Sequence, residues 1–290
     1  MSALLMSSII LTRLRSLGTL CTRIVSAHVP WLFLFLIGPA VCNATLVLTA
    51  CSPNGVVIAA DGLTLKPDAN PPSTAEACKI MRGTDTCFFS IVGVQDIRSI
   101  DYDLVPMADH ACKGNGSMVE RAKAFEKIAL PEVQRAWSYI KAHEPASYAL
   151  MRRSGPASVC VVFAGGPPFT VVIVQYVEDA SGRMTIDKSI IDVSNFASES
   201  AYENVGVSEN VELYQRQHRE IEKLNDAGFL RGLLLGAIQL EGKPKRIGPP
   251  IAILEINGNG PKWIQRGACA EIKHRQTNPQ KKSRVLKVSR

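Results

Sequence analysis

Continuous apolar runs broken by turn residues predict that the chain after residue 44 begins with two β-hairpins. The first is marked by Asn54-Gly55, a strong hairpin signal, between two apolar, β-rich runs. The second has its turn near Gly83, and a loop rich in Pro, Asp and Ser over residues 63–76 separates the two hairpins. The four expected strands lie over 45–50, 55–60, 78–81 and 87–92.

Apolar residues three or four positions apart predict the helical part of the chain. The clearest case is 118–143, where Phe125, Val133 and Trp137 lie on one face, and Pro131 is expected to start or bend part of this helix. The expected helices lie over 96–111, 118–143, 209–222 and 225–241, and the expected later strands over 157–164, 168–177, 184–192, 251–256 and 262–264. Strands and helices that follow each other in blocks predict an α+β fold, in which antiparallel sheets carry helices on their outer sides.

The first 44 residues have the pattern of a signal peptide. Three arginines and no acidic residue precede an apolar stretch over 31–41, which is short for a membrane span. Cleavage after Ala44 fits the small residue Cys42 upstream, and cleavage after Ala40 is the alternative. We expect export to a periplasmic or extracellular location, with membrane attachment only if this segment stays uncleaved.

The net charge of +7 belongs to the two ends of the chain. Residues 1–44 contribute three arginines, and residues 271–290 contribute seven basic residues against one acidic residue, so 45–270 is left with −2. We therefore predict a signal peptide over 1–44, one domain over 45–270 and a basic, disordered tail over 271–290. Because aromatic residues make up only 6% of the chain, we expect no stacking platform for nucleic acid and no nucleic-acid partner.

Cysteine spacing points away from a metal site. There are eight cysteines, two of which would leave with the signal peptide, and the sequence contains no Cys-x-x-Cys. We therefore expect no structural zinc and no other metal or cofactor. In an oxidising compartment Cys78 and Cys87 could pair across the second hairpin, and small buried thiols are the alternative.

Cleavage after Ala44 would give the mature chain an N-terminal threonine, Thr45. Such a residue carries a nucleophilic hydroxyl and, on the same residue, a free α-amine that can act as its base. The ordinary pKa of an α-amine, about 7.7–8.0, means that the amine loses its proton near neutral pH far more readily than a lysine does.

Three short segments around Thr45 resemble proteasome β-type subunits, which belong to the N-terminal-nucleophile (Ntn) hydrolases. The segments are Thr45-Leu-Val-Leu-Thr-Ala-Cys-Ser-Pro-Asn-Gly-Val-Val-Ile-Ala-Ala-Asp61, Ala77-Cys-Lys-Ile80 and Ile91-Val-Gly93, with two extra loop residues before the second. The resemblance implies a four-layer αββα sandwich of two antiparallel sheets between helices. It also implies that relatives stack through their helices, so that a homo-oligomer is expected.

The resemblance assigns a role to each of these positions. Thr45 Oγ would attack a carbonyl carbon, and Lys79, held by Asp61, would place positive charge beside the hydroxyl and the amine. The N–H of Gly93 would donate to the oxyanion of the tetrahedral intermediate. Ser208 stands near the place of a serine that supports the amine in the family, although a helix N-cap is its alternative role.

Departures from the family leave the activity open. The turn 242–248 retains Gly248, but the Asp and Ser that the family carries there are absent. The first hypothesis is a peptide or amide hydrolase that uses Thr45. The alternatives are a structural or binding relative without turnover, and an amidase for small molecules.

Overall fold

The computed structural model describes residues 45–66, 73–153, 157–192, 201–206, 209–241 and 247–271. The expected signal peptide and all but the first residue of the expected basic tail lie outside this part of the chain. Within it, the chain forms two five-stranded antiparallel sheets, two small two-stranded sheets and five α-helices. The described helices include none that is both long enough and apolar enough to cross a membrane.

The first sheet contains the predicted opening hairpin. Ser52 pairs with Gly55, so that Pro53 and Asn54 form a two-residue loop, and the hairpin prediction at Asn54-Gly55 is confirmed. The strand order is β12-β1-β2-β13-β14. The strands are β1 Leu46–Ser52, β2 Gly55–Ala60, β12 Ala201–Gly206, β13 Ala252–Asn257 and β14 Gly260–Gln265.

The second sheet has the order β11-β10-β9-β6-β5. Its strands are β5 Met81–Thr84, β6 Cys87–Gly93, β9 Ala157–Gly165, β10 Thr170–Glu178 and β11 Met184–Asp192. The strand expected over 78–81 begins only at Met81, so that expectation was wrong for 78–80. The β5–β6 turn is at Asp85 and Thr86 rather than near Gly83, because Thr84 pairs directly with Cys87. The three consecutive strands predicted between 157 and 192 are confirmed.

Two expectations were wrong because short pairs of strands form where a loop and the start of a helix were expected. The expected loop over 63–76 begins and ends in a small sheet, β3 Leu63–Lys66 with β4 Ser73–Glu76. The expected helix over 96–111 starts late, after β7 Asp96–Ile97 and β8 Tyr102–Asp103. The helix begins there because the Asp103 carboxylate accepts a hydrogen bond from the Val105 N–H and caps it.

The helices are α1 Leu104–Lys113, α2 Met118–His143, α3 Pro145–Arg153, α4 Glu209–Gln217 and α5 Asp226–Leu240. The predicted bounds of α2 are confirmed, and a capping box between Ser117 and Glu120 fixes its start. The helix continues through Pro131. The expected helix over 209–222 ends at Gln217 and is followed by a short 3-10 helix, Arg219–Lys223.

Three apolar cores lie between successive layers of strands and helices. The middle core joins the facing sides of the two sheets, with Val47 and Ile58 from the first and Phe88 and Val162 from the second. A second core packs α1 and α2 on the outer side of the second sheet, and a third packs α5 on the outer side of the first. The predicted α+β arrangement of antiparallel sheets with outer helices is confirmed.

Two disulfides replace the one expected across the second hairpin. Cys78 is joined to Cys269, and Cys87 is joined to Cys112 of α1. The expected Cys78–Cys87 pair was wrong because Cys87 faces the helix-side core whereas Cys78 packs against the core between the sheets.

Candidate active site

Asp61 lies at the centre of the candidate site, one residue after the end of β2. Its side chain is inaccessible to solvent, and both carboxylate oxygens are hydrogen bonded. Oδ1 accepts from the backbone N–H of Leu46 at 2.9 Å and from Lys79 Nζ at 2.9 Å. Oδ2 accepts from the N–H groups of Leu63 and Gly248, each at 3.2 Å. Four donors on one carboxylate fit its ionised form, which accepts and cannot donate.

Lys79 reaches Asp61 from the segment between β4 and β5. Residues 77–80 belong to no strand or helix. The segment is held by the N–H of Ala77, which donates to the Gly62 carbonyl at 2.8 Å, and by Ser90 Oγ, which donates to the Lys79 carbonyl at 2.6 Å. The Lys79 side chain is 9% exposed, so this ion pair is shielded from solvent.

Burial and the ion pair shift the pKa of each group in opposite directions. Burial lowers the pKa of Lys79 below its ordinary value, and the charge of Asp61 opposes this shift. Burial likewise raises the pKa of Asp61, whereas Lys79 and the donors Leu46 and Gly248 lower it. The result is an ammonium group that gives up its proton more readily than an ordinary lysine, held at a fixed position.

Thr45 directly precedes Leu46, the residue whose backbone N–H binds the carboxylate of this ion pair. It immediately precedes β1, is 3% exposed and is followed by Leu46, whose N–H shares Asp61 Oδ1 with the Lys79 ammonium. Side chains alternate along a strand, and Val47 packs into the core between the sheets. Thr45 therefore lies on the side of β1 that faces the second sheet.

Gly206, at the end of β12, is a part of this site that the sequence did not reveal. It pairs with Leu46 and has a φ of +109°, a conformation that favours glycine. A Cβ on Gly206 would lie 1.8 Å from the carbonyl oxygen of Thr45 and 3.3 Å from Val92 Cγ1. Only a glycine allows β12 to lie this close to Thr45.

Gly93 is at the same end of the core between the sheets. It is the last residue of β6, has a φ of +96° and directly follows Val92, which borders Gly206. The structure thus brings Asp61, Lys79 and Gly93 to the surroundings of Thr45. Ser208, the fifth residue expected at the site, lies outside the described residues.

Gly248 joins the site through its backbone. The resemblance to proteasome β-type subunits retains this glycine without giving it a contact, and its N–H donates to Asp61. Gly62 also donates to the Gly248 carbonyl at 3.0 Å, which fixes the segment against the end of β2. The local sequence, a glycine followed by two prolines, does not predict such a contact.

Comparisons with known proteins add nothing to this geometry. No protein-family model matches the chain, and no curated protein matches it. The described residues contain no group of His, Cys, Asp or Glu side chains able to hold a metal ion. The chemistry of the side chains around Thr45 is therefore the basis for a functional assignment.

Proposed function

We propose that the protein is an exported threonine-type hydrolase of peptide or amide bonds, with an Ntn-type αββα fold. The observation that carries this proposal is the buried Lys79–Asp61 ion pair, whose shared oxygen also binds the N–H immediately after Thr45. A solvent-shielded charge pair is costly to bury, and such pairs with shifted pKa values are concentrated at functional sites.

In the first half of the reaction the enzyme would be acylated. Once residues 1–44 are removed, the free α-amine of Thr45 takes the hydroxyl proton as Oγ attacks the carbonyl carbon. The positive charge of Lys79 lowers the energy of the developing alkoxide, and the Gly93 N–H stabilises the oxyanion. The carbon–nitrogen bond then breaks, and the proton on the α-amine passes to the leaving nitrogen.

In the second half the acyl group would be transferred to water. The α-amine accepts a proton from a water molecule as that water attacks the Thr45 ester. The tetrahedral intermediate collapses, the ester bond breaks and the proton returns to Oγ. A carboxylic acid leaves, and both the hydroxyl and the amine of Thr45 are restored.

The two disulfides support the export part of the proposal. Disulfides persist in secreted and periplasmic proteins and are rare in the cytosol. Both are formed by cysteines that follow residue 44, so the mature chain would retain them.

Substitution of the nucleophile tests the proposed reaction. The exported chain and its variants T45A and T45S would be assayed on a set of fluorogenic peptide amides. Because serine retains a hydroxyl beside the amine, we expect T45S to keep measurable hydrolysis and T45A to lose about 1,000-fold or more. Equal hydrolysis by T45A and the parent protein would contradict the proposal.

A further inference from the structure

The segment that carries Lys79 is joined by a disulfide to a distant part of the chain. Cys78, the residue directly before Lys79, is bonded to Cys269, 191 residues away in the sequence. We propose that this disulfide is a positioning element of the candidate site, which holds the Lys79 ammonium on Asp61 beside Thr45. Its consequence for catalysis rests on the proposed function, whereas its effect on Lys79 can be measured without any activity.

The backbone around Lys79 is held by contacts outside the strands and helices. Residues 77–80 belong to no strand or helix. A lysine side chain also places a flexible four-carbon chain between its backbone and its charge. Besides the disulfide, the hydrogen bonds of Ala77 to Gly62 and of Ser90 to Lys79 hold this segment. A shift of the backbone at Cys78 would therefore be passed directly to the position of Lys79.

The other end of the disulfide is firmly anchored. Cys269 is 4% exposed, and its N–H donates to the Arg266 carbonyl at 3.0 Å. Trp263 Nε1 of β14 donates to the Ala270 carbonyl at 3.1 Å. Hydrogen bonds thus hold the turn after β14 at the point where the disulfide is attached.

This turn also lies against the segment that supplies Gly248. Gly267 has a φ of +57°, and a Cβ there would lie 2.7 Å from the carbonyl oxygen of Ile251. Ile251 follows Gly248 by three residues, and the Gly248 N–H binds Asp61 Oδ2. The disulfide therefore joins the segment that carries Lys79 to a turn that lies against the segment of Gly248, and both segments donate to Asp61.

The second disulfide provides a matched control. Cys87 and Cys112 join β6 to α1 on the helix side of the second sheet, away from the core between the sheets. Its removal should lower the stability of the chain without changing the segment that carries Lys79. The double variants C78S/C269S and C87S/C112S therefore separate local positioning from general loss of stability.

Acetylation of Lys79 measures the positioning directly. The exported chain and both double variants would be treated briefly with acetic anhydride at one pH and mapped by peptide mass spectrometry, with exposed Lys127 as internal reference. We expect Lys79 acetylation to rise about tenfold in C78S/C269S and to stay near the parent rate in C87S/C112S. On a peptide amide, kcat should fall in C78S/C269S while KM changes little, because binding groups are retained.

Each remaining outcome is informative. Equal Lys79 acetylation in C78S/C269S and the parent chain, or an equal rise in both double variants, would overturn the inference. If C78S/C269S does not fold, C78A/C269A, which buries no hydroxyl, replaces it, and failure of that variant to fold would also overturn the inference. A parent chain without Thr45-dependent hydrolysis, in which Lys79 protection still depends on Cys78–Cys269, would reject the proposed function and retain the positioning role.

Discussion

The carboxylate of Asp61 joins three separate pieces of chain at one point. Leu46 of β1, Lys79 of the segment before β5, and Gly248 of the segment before β13 all donate to it. Burying a charge is costly unless hydrogen bonds and an opposite charge compensate, and Asp61 has both. At the scale of single residues, this carboxylate links the stability of the fold to the position of the proposed catalytic lysine.

The first prediction concerns the loss of this charge. In D61N the amide offers one accepting oxygen in place of two, and the Lys79 ammonium is left without its counter-charge. We expect the free energy of unfolding to fall by about 3 kcal/mol in urea titrations at neutral pH, because breaking a buried ion pair strands its partner. The double variant D61N/K79M should recover part of that loss while remaining inactive.

An exposed ion pair provides the comparison for D61N. Arg216 and Glu212 form a salt bridge at 3.1 Å, but both side chains are largely exposed. E212Q should leave the free energy of unfolding nearly unchanged, since exposed pairs contribute little. If D61N is as stable as E212Q, the Asp61 carboxylate is not the structural centre described above.

At the scale of elements, the contact between β12 and the start of β1 depends on the missing side chain of Gly206. The second prediction compares G206A with G260A. Both glycines have a positive φ, +109° and +97°, but a Cβ at Gly260 would meet nothing within 4 Å. We expect both variants to lose stability through backbone strain, on the order of 1–2 kcal/mol.

Only G206A should also displace Thr45. The added Cβ would press on the Thr45 carbonyl oxygen. Thermal unfolding should therefore show a larger loss of stability for G206A than for G260A. Hydrolysis of a peptide amide should fall in G206A and persist in G260A. Equal losses of stability and activity in the two variants would show that β12 does not constrain Thr45.

Strand β12 also shows where sequence patterns fail. The strands rich in buried valine and isoleucine, such as β2 and β10, are evident from their apolar runs. Strand β12 contains Tyr202, Glu203 and Asn204 in succession and lies at a sheet edge, where only one side pairs. Its pairing with β1 is set by tertiary structure, which no local pattern reports.

A second polar group ties helices to the other sheet. Glu178, at the end of β10, has a side chain only 3% exposed. Its oxygens accept from the Tyr148 hydroxyl at 3.0 and 2.8 Å, and Lys141 and Arg152 lie 3.5 and 3.4 Å away. Although burial alone favours its protonated form, Tyr148 and these charges hold the pKa of Glu178 below its usual range.

The third prediction follows from the lowered pKa of Glu178. A depressed carboxylate pKa stabilises the fold above the ordinary glutamate range, and this contribution is lost as the pH falls through the lowered value. Y148F removes the closest donor, so the free energy of unfolding at pH 7 should fall by about 1.5–3 kcal/mol. The difference from the parent protein should narrow as the pH falls and Glu178 becomes protonated.

Tyr139 provides the control for this effect. It lies in α2, and its exposed hydroxyl accepts a hydrogen bond from the uncharged Ser99 side chain at 3.0 Å. Y139F should therefore change the free energy of unfolding by a similar, small amount at every pH. Parallel pH curves for Y148F and Y139F would contradict the role given to Glu178.

At the scale of the whole molecule, the layered architecture could be predicted and the contacts between distant parts of the chain could not. Blocks of strands and helices predicted antiparallel sheets with outer helices, because each element must bury its apolar face. The contact of Gly248 with Asp61 spans 187 residues, and the Cys78–Cys269 disulfide spans 191. Such contacts depend on how the sheets pack, and the spacing of residues along the chain does not encode them.

The proposed site shows the same division. Thr45, Asp61, Lys79 and Gly93 could be chosen in advance because they belong to short sequence segments whose order resembles a known family. Gly206 could not, since its importance is the closeness of two backbones rather than a side chain. A contact between two backbones requires no reactive side chain, so the chemistry of the residue types cannot reveal it.

We propose above all that export turns Thr45 into an N-terminal nucleophile. The most direct test treats the exported protein with a peptide β-lactone, whose ring opens on an attacking hydroxyl so that the whole reagent is added. Peptide mass spectrometry should then find a mature chain that begins at Thr45 and carries the adduct on that residue. A mature chain that begins elsewhere, or one that begins at Thr45 and carries no adduct there, would contradict the account.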